Sequence, residues 1–322
     1  MPTADEIWKD ARWLAQAVDP RAGLVRLVEM TPETYRDASF LDDRMFQQPR
    51  NSHLLKWDEV AGSTPADARR DARWIFHIGH VGSTLVARLL GELAGVLSVR
   101  EPRALRDIAL FPPDIREPFT PTLRALFSRS FARDQASLVK ATSFVSEIAA
   151  ELVPAAGRAL FMYATPRAYI SGILAGENSR LELAGMASKR IEHLSSRCLH
   201  LPQARHEADL AAAAWACGMT ALEQASGSAV LWLDFDRILA DIEASLKLMA
   251  VNVLWKAARQ GNKPVYCGIR EYQAEVGTLL EERGFHLLSE QALLVKYIAE
   301  PIKERQPALV PFLAKNELVP TK

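Results

Sequence analysis

Residues 79 to 84, Gly-His-Val-Gly-Ser-Thr, are the stretch of this chain best suited to chemistry. Trp74 to Ile78 before them is an apolar run rich in strand formers, and Leu85, Val86, Leu89, Leu90 and Leu93 after them recur at helical spacing. A strand, a glycine turn and a helix are therefore expected, with Ser83 and Thr84 in the cap and first turn. Such a turn presents backbone N–H groups at the positive end of a helix dipole, which suits a phosphate or sulfate. The alternative is a glycine turn that serves the fold alone. A Walker A loop would need Lys at position 83, where Ser stands, and no acid ends the fourth strand to hold Mg²⁺. Nucleoside triphosphate hydrolysis is thus disfavoured.

The other candidate groups stand at the ends of apolar runs. Val96 to Val99 reads as a second strand and delivers Glu101. Ser137 to Ala141 reads as a third and delivers Lys140 and Thr142, and Arg158 to Tyr163 as a fourth. Thr165 is placed to N-cap a helix with Pro166 at its first position, so Arg167 falls in the first turn, unfavourable for the dipole and favourable for an anion. Ala229 to Phe235 reads as a fifth strand, ending near Asp234. Strands that alternate with helices predict an α/β fold with a mostly parallel sheet covered on both faces, and ligands in such sheets bind beyond the carboxyl ends of the strands.

Before this core, residues 5 to 18 read as an amphipathic helix, Leu24 to Val28 as a strand, and Thr31-Pro32 as a helix start. Residues 58 to 73 mix helix formers with charges. Pro112, Pro113, Pro118 and Pro121 read as a loop or lid-like region, and residues 186 to 226 as helical with a break at Leu201-Pro202. Glu177 to Arg180 reads as the polar end of a helix. His77 inside its strand reads as a satisfied core residue. His193, His200 and His206 are irregularly spaced and do not make a metal set.

The chain has 322 residues, 49% of them hydrophobic, with Lys+Arg and Asp+Glu equal at 39. That balance argues against a basic nucleic-acid binder, so an anion site must be local. Cys198, Cys217 and Cys267 include no CxxC, and with no secretory h-region they lead to the expectation of a cytoplasmic protein. No apolar run has the ~20 residues of a membrane span.

Gly82-Ser83-Thr84-Leu85 after its strand resembles the 5′-phosphosulfate loop of the sulfotransferases that use 3′-phosphoadenosine 5′-phosphosulfate (PAPS), with His80 at the loop's basic position. Arg100-Glu101-Pro102, Leu138 to Thr142, Ala164 to Arg167 and Leu233 to Asp241 are similar to later segments of that family, and the likeness covers roughly residues 38 to 248. The resemblance implies a three-layer, P-loop-like parallel-sheet core and transfer of a sulfuryl group from PAPS to a hydroxyl or amine of a small-molecule acceptor. It implies Gly79, His80, Val81, Gly82, Ser83 and Thr84 as the sulfonate cradle, with His80 as its basic group, Glu101 as the base, and Lys140 as a catalytic group that touches the sulfate or the substrate. Structural readings stand beside these: Glu101 paired with Arg100 or Arg103 at the surface, and Lys140 as a surface lysine. Where the family's 3′-phosphate site has Arg and Ser, this chain has Ala164 and Gly172, with Arg167 and Ser171 as nearby substitutes.

The likeness stops near residue 248. Lys263 to Ile269, Glu271 to Arg283 and Phe285 to Ile298 look like the C-terminal half of GNAT-class acetyltransferases, without that class's acetyl-CoA loop. The expected organisation is an N-terminal segment packed on the core (1–73), a sulfotransferase-like domain (74–248) and a small α+β module (249–322). Besides a sulfotransferase, the sequence leaves open a non-catalytic nucleotide-, anion- or protein-binding member, and an acyltransferase-related fusion.

Overall fold

The structure is a computed structural model that describes residues 1–93, 95–153, 157–198, 201–227, 230–240, 245, 248 and 249. All of these belong to one contact unit, Met1–Val276. The GNAT-like segments expected after residue 249 lie outside the described residues.

The chain opens with α1 (Ala4–Lys9), capped by Thr3, and turns at Asp10, whose carboxylate accepts from the Arg12 N–H. β1 (Trp13–Asp19), β2 (Leu24–Glu29) and, after α2 (Pro32–Asp37) and a 3-10 turn (Asp43–Gln47), β3 (Ser52–Lys56) form an antiparallel sheet. The helix expected over residues 5 to 18 is therefore corrected: its second half is β1. The spacing of Leu14, Ala15 and Val18 fits either element. Burial of every residue from Trp13 to Val18, with pairing to β2, decides for the strand. A bulge near Gln16 interrupts that ladder. Thr31 caps α2 with Pro32 in the first turn, as expected. α3 (Trp57–Gly62) follows β3.

The core then alternates as expected: β4 (Arg73–His77), α4 (Ser83–Gly91), β5 (Val96–Arg100), α5 (Arg103–Ala109), α6 (Pro113–Arg116), α7 (Thr120–Ser128), β6 (Ala136–Lys140). A 3-10 turn (Ser143–Ile148) leads through α8 (Ala149–Leu152) to β7 (Ala159–Tyr163). Then come α9 (Pro166–Ala175), α10 (Glu177–Ser195), α11 (Glu207–Gln224), β8 (Val230–Asp234) and α12 (Phe235–Ala240). The five core strands are all parallel, in the order β5-β6-β4-β7-β8. Right-handed crossovers place α4, which runs from β4 toward β5, on one face and the oppositely directed connections on the other. This is an α/β protein with a five-stranded parallel sheet flanked by helices.

Two expectations change. The proline-rich stretch is no lid: Pro113 and Pro121 sit in the first turns of α6 and α7, where a missing N–H costs nothing, and α7 is almost wholly buried. Glu177 to Arg180 opens α10 rather than closing a helix, because Gly176 ends α9 and starts α10 at once.

Aromatic rings cross the sheet in register. Phe76, Phe161 and Trp232 lie on paired positions of β4, β7 and β8, with edge-to-face contacts of 5.9 and 5.3 Å between centroids. Each such pair adds about 1 kcal/mol beyond area burial. Buried Arg129, just after α7, donates to the carbonyls of Ile7, Asp10 and Trp13, and Asp107 of α5 accepts from the Val18 N–H at 3.0 Å. The N-terminal segment is thereby tied onto the core helices. Among the described residues, no helix is long and apolar enough to cross a membrane.

Candidate active site

β4 lies in the middle of the sheet, so its carboxyl end opens at the centre of that edge. His77, its last residue, is buried, and fixes how the chain leaves. The Gly79 N–H donates to His77 Nδ1 at 3.1 Å, and His77 Nε2 lies 3.0 Å from the Ala141 carbonyl. These partners assign the proton to Nε2 and leave the ring neutral. Burial, then the charge of Lys140, holds its pKa well below the ordinary 6.5. The His77 carbonyl accepts from Ser146 Oγ at 3.0 Å. The loop is thus bolted to the 3-10 turn that follows β6.

Gly79, His80 and Gly82 have φ of 100°, 55° and 64°. The left-handed geometry is free for the glycines and costs His80 about 1–2 kcal/mol. Val81 is buried and pins the loop, Ser83 is buried at the first turn of α4, and His80 is exposed. Gly79 spends its N–H on His77. The N–H groups of His80, Val81, Gly82 and Ser83 have no bonded acceptor among the described residues. A Cβ at Gly82 would overlap the Phe235 ring, so a side chain there must displace that ring. Tyr169 and Gly172 of α9 approach Gly79 and His80 from the side. The loop is therefore a narrow turn with free amides at a helix N-terminus, fitted to an oxyanion.

Glu101 and Lys140 stand at the same edge. Arg100 pairs in register with Lys140, and the Glu101 N–H donates to the Lys140 carbonyl at 2.7 Å. Both side chains are buried, and Lys140 Nζ donates to Glu101 Oε1. Arg44, from the 3-10 turn after α2, reaches the second oxygen at 3.2 Å. Arg44 is itself forked onto Asp42 and stacked on Phe40, 3.5 Å from the ring centroid. Burial lowers the Lys140 pKa, against the pull of Glu101. Glu101 has φ of 53°, a strained geometry for a non-glycine residue.

This corrects both structural readings of Glu101 and that of Lys140. Arg100 turns away to donate to the carbonyls of Tyr35, Arg36 and Ala38 at the end of α2, and burial lowers its pKa to about 10. Arg103 is taken by Asp43 and Asp107. Lys140 is 1% exposed, so it is not a surface lysine.

Arg167 and Ser171 are exposed on α9, and no described contact joins them to the loop. Ala164 is buried, with its carbonyl taken by Trp215 Nε1 at 2.9 Å, and Gly172 faces His80. The loop offers free N–H donors to an oxyanion, and Ala164 and Gly172 carry no side-chain donor for a second one. Sequence reasoning missed Phe40, Asp42, Arg44 and Phe235. The first three sit in an irregular segment without periodicity, and Phe235 reads as an ordinary strand end. His193, set aside as a metal ligand, pairs with buried Glu147 at 2.8 Å. No protein family, characterised protein or solved structure matches the chain.

Proposed function

We propose that this chain is a sulfotransferase-like enzyme with a P-loop-like core that moves a sulfuryl group from PAPS to a hydroxyl or amine of a small acceptor. One observation carries the reading: the free amides of His80 to Ser83 and the buried Glu101–Lys140 pair leave the same edge of one parallel sheet, on neighbouring strands. PAPS, when bound, supplies an activated sulfuryl group. In the loop of residues 79–84, the free N–H groups of His80 to Ser83 and the dipole of α4 hold its sulfonate oxygens. Glu101 takes the proton of the acceptor hydroxyl, and Lys140 and Arg44 hold its carboxylate in place and balance its charge. A placed base is worth about 10²–10⁴-fold. His80, exposed on the loop, serves as a further N–H donor to the anion in this reading.

A second reading has its own support. Both Glu101 oxygens are engaged by cations, and Ala164 and Gly172 offer nothing to a 3′-phosphate. These favour a non-catalytic binder of a nucleotide or other anion. Calorimetry with 3′-phosphoadenosine 5′-phosphate, paired with a turnover assay of Glu101→Gln, separates the two. A catalyst binds the nucleotide, and the variant keeps binding while losing turnover. A binder shows no turnover in either form.

A further inference from the structure

Beside the glycine turn, a second set of polar groups is left without hydrogen bonds. Arg190 lies on the face of α10 that also carries buried Leu183 and Leu194, and its side chain is 10% exposed. Helical side chains lean toward the N-terminus of their helix, so its guanidinium points back along α10 and meets Glu182 at 3.7 Å. That separation is an ion pair and too long for a hydrogen bond. Glu182 itself stands mostly in water, with 59% of its side chain exposed. Among the described residues, no hydrogen bond reaches the Arg190 guanidinium. Buried Arg100 and Arg129, by contrast, each donate to several backbone carbonyls. A buried guanidinium whose donors are unfilled is costly.

Its neighbours tie Arg190 to the glycine turn. The Arg190 charge acts on the hydroxyl of Tyr169 in α9 and on the Cys217 thiol in α11. Burial pushes Tyr169 up to about 12, so its hydroxyl stays a protonated donor, and it has no hydrogen-bond partner among the described residues. The same ring flanks the turn: a Cβ at Gly79 would lie 3.8 Å from Tyr169 Cε2 and 3.8 Å from Ser143 Oγ. Tyr169 and Arg190 thus stand on the β7 side of the turn, and Glu101 stands on the β5 side. The strand order β5-β6-β4-β7 sets the turn between them. Neighbouring strands lie about 4.8 Å apart, so the two sides are about 14 Å apart before side chains reach inward.

We propose that Arg190, with the Tyr169 hydroxyl, binds a carboxylate of the acceptor, so that the acceptor is an elongated hydroxy acid or amino acid lying across the glycine turn. A planar guanidinium fork matches a carboxylate, and the phenol adds a further donor. A single guanidinium suits a monoanion. Glu182 competes for the same cation from 3.7 Å, and a ligand carboxylate at hydrogen-bond distance displaces it into the water it already meets. That the carboxylate belongs to the acceptor rests on the sulfuryl-transfer reading; that a carboxylate binds here does not.

The test is calorimetry of the full chain, without nucleotide, with 4-hydroxyphenylacetate and 6-hydroxyhexanoate and with the methyl ester of each. At least one acid is expected to bind saturably, about tenfold or more tighter than its ester. Arg190→Gln, checked by circular dichroism to be folded, should bind that acid no better than the ester. Glu182→Gln should bind it more tightly than wild type, because the competing carboxylate is gone; an arginine that only closes a structural ion pair would give no such gain. Saturable binding of neither acid overturns the proposal, as do equal affinities for acid and ester, or acid binding that a folded Arg190→Gln retains. Where Arg190→Gln does not fold, Glu182→Gln decides, and unchanged affinity in it overturns the proposal. Failure to bind 3′-phosphoadenosine 5′-phosphate removes the sulfuryl-transfer reading and leaves these titrations standing, whereas failure here removes the carboxylate subsite alone.

Discussion

Glu101 and Lys140 are joined twice at the ends of neighbouring parallel strands: the Glu101 N–H donates to the Lys140 carbonyl at 2.7 Å, and the Lys140 ammonium donates back to the Glu101 carboxylate. The backbone bond aligns the two residues, and burial of both side chains makes their charges depend on each other. Removing one partner leaves a buried charge with too little compensation, which costs about 3–5 kcal/mol. Lys140→Met should lose stability on that scale in urea unfolding. The double variant Lys140→Met/Glu101→Gln should recover much of the loss. A single variant within about 1 kcal/mol of wild type would mean that Arg44 alone suffices.

Gly82 has a left-handed backbone and the Phe235 ring against its α-carbon. Gly82→Ala combines backbone strain with overlap and should cost about 1–3 kcal/mol. In the Phe235→Ala background the substitution should cost less, since the steric part is gone and only the backbone part stays. Melting temperatures of the four proteins decide this, and equal costs in both backgrounds would contradict the contact.

His77 makes stability depend on pH. Its folded pKa lies well below 6.5, so between the two values the unfolded chain binds more protons. Stability is fully present above about pH 6.5 and is lost as pH falls toward the folded pKa. Urea unfolding between pH 7.5 and 5.5 (the window about the free imidazole value) should show the decline. His77→Gln should flatten it, and an identical slope in both proteins would assign the effect elsewhere.

Cys217 is buried in α11 and donates to Glu147 Oε1 at 3.1 Å; burial and that carboxylate push its thiol up to about 12. It should resist a thiol reagent at neutral pH until the protein unfolds. Cys198 is half-buried and should react first. Labelling of the Cys267→Ser variant, followed by peptide mapping, checks the order. Early modification of Cys217 would contradict this burial.

The parallel core was legible because each of its strands is a short apolar run followed by a cap or glycine signal, as in Trp74 to Ser83 and Tyr163 to Pro166. β1 was not, because Trp13 to Val18 satisfies helical and strand spacing alike and only its pairing with β2 separates them. β3 was missed for a related reason: Ser52 to Lys56 buries a single residue, and exposed Leu54 beside buried Leu55 hides the strand's alternation in the residue types. At the site, the loop, Glu101 and Lys140 were visible as strand-end groups, since local sequence places them. The partners of Glu101 were not. Arg44 arrives from a 3-10 turn 57 residues earlier, and no local pattern encodes that approach.

The most direct test of the loop's role is calorimetric titration of the full chain with 3′-phosphoadenosine 5′-phosphate. Saturable binding is expected for wild type and Glu101→Gln. Gly82→Asp, checked by circular dichroism to be folded, should abolish it, because the side chain displaces the Phe235 ring from the turn and adds a negative charge beside the loop amides. No binding by wild type at high micromolar ligand would contradict the loop as a cradle for this nucleotide, and unchanged binding in a folded Gly82→Asp would place the ligand elsewhere.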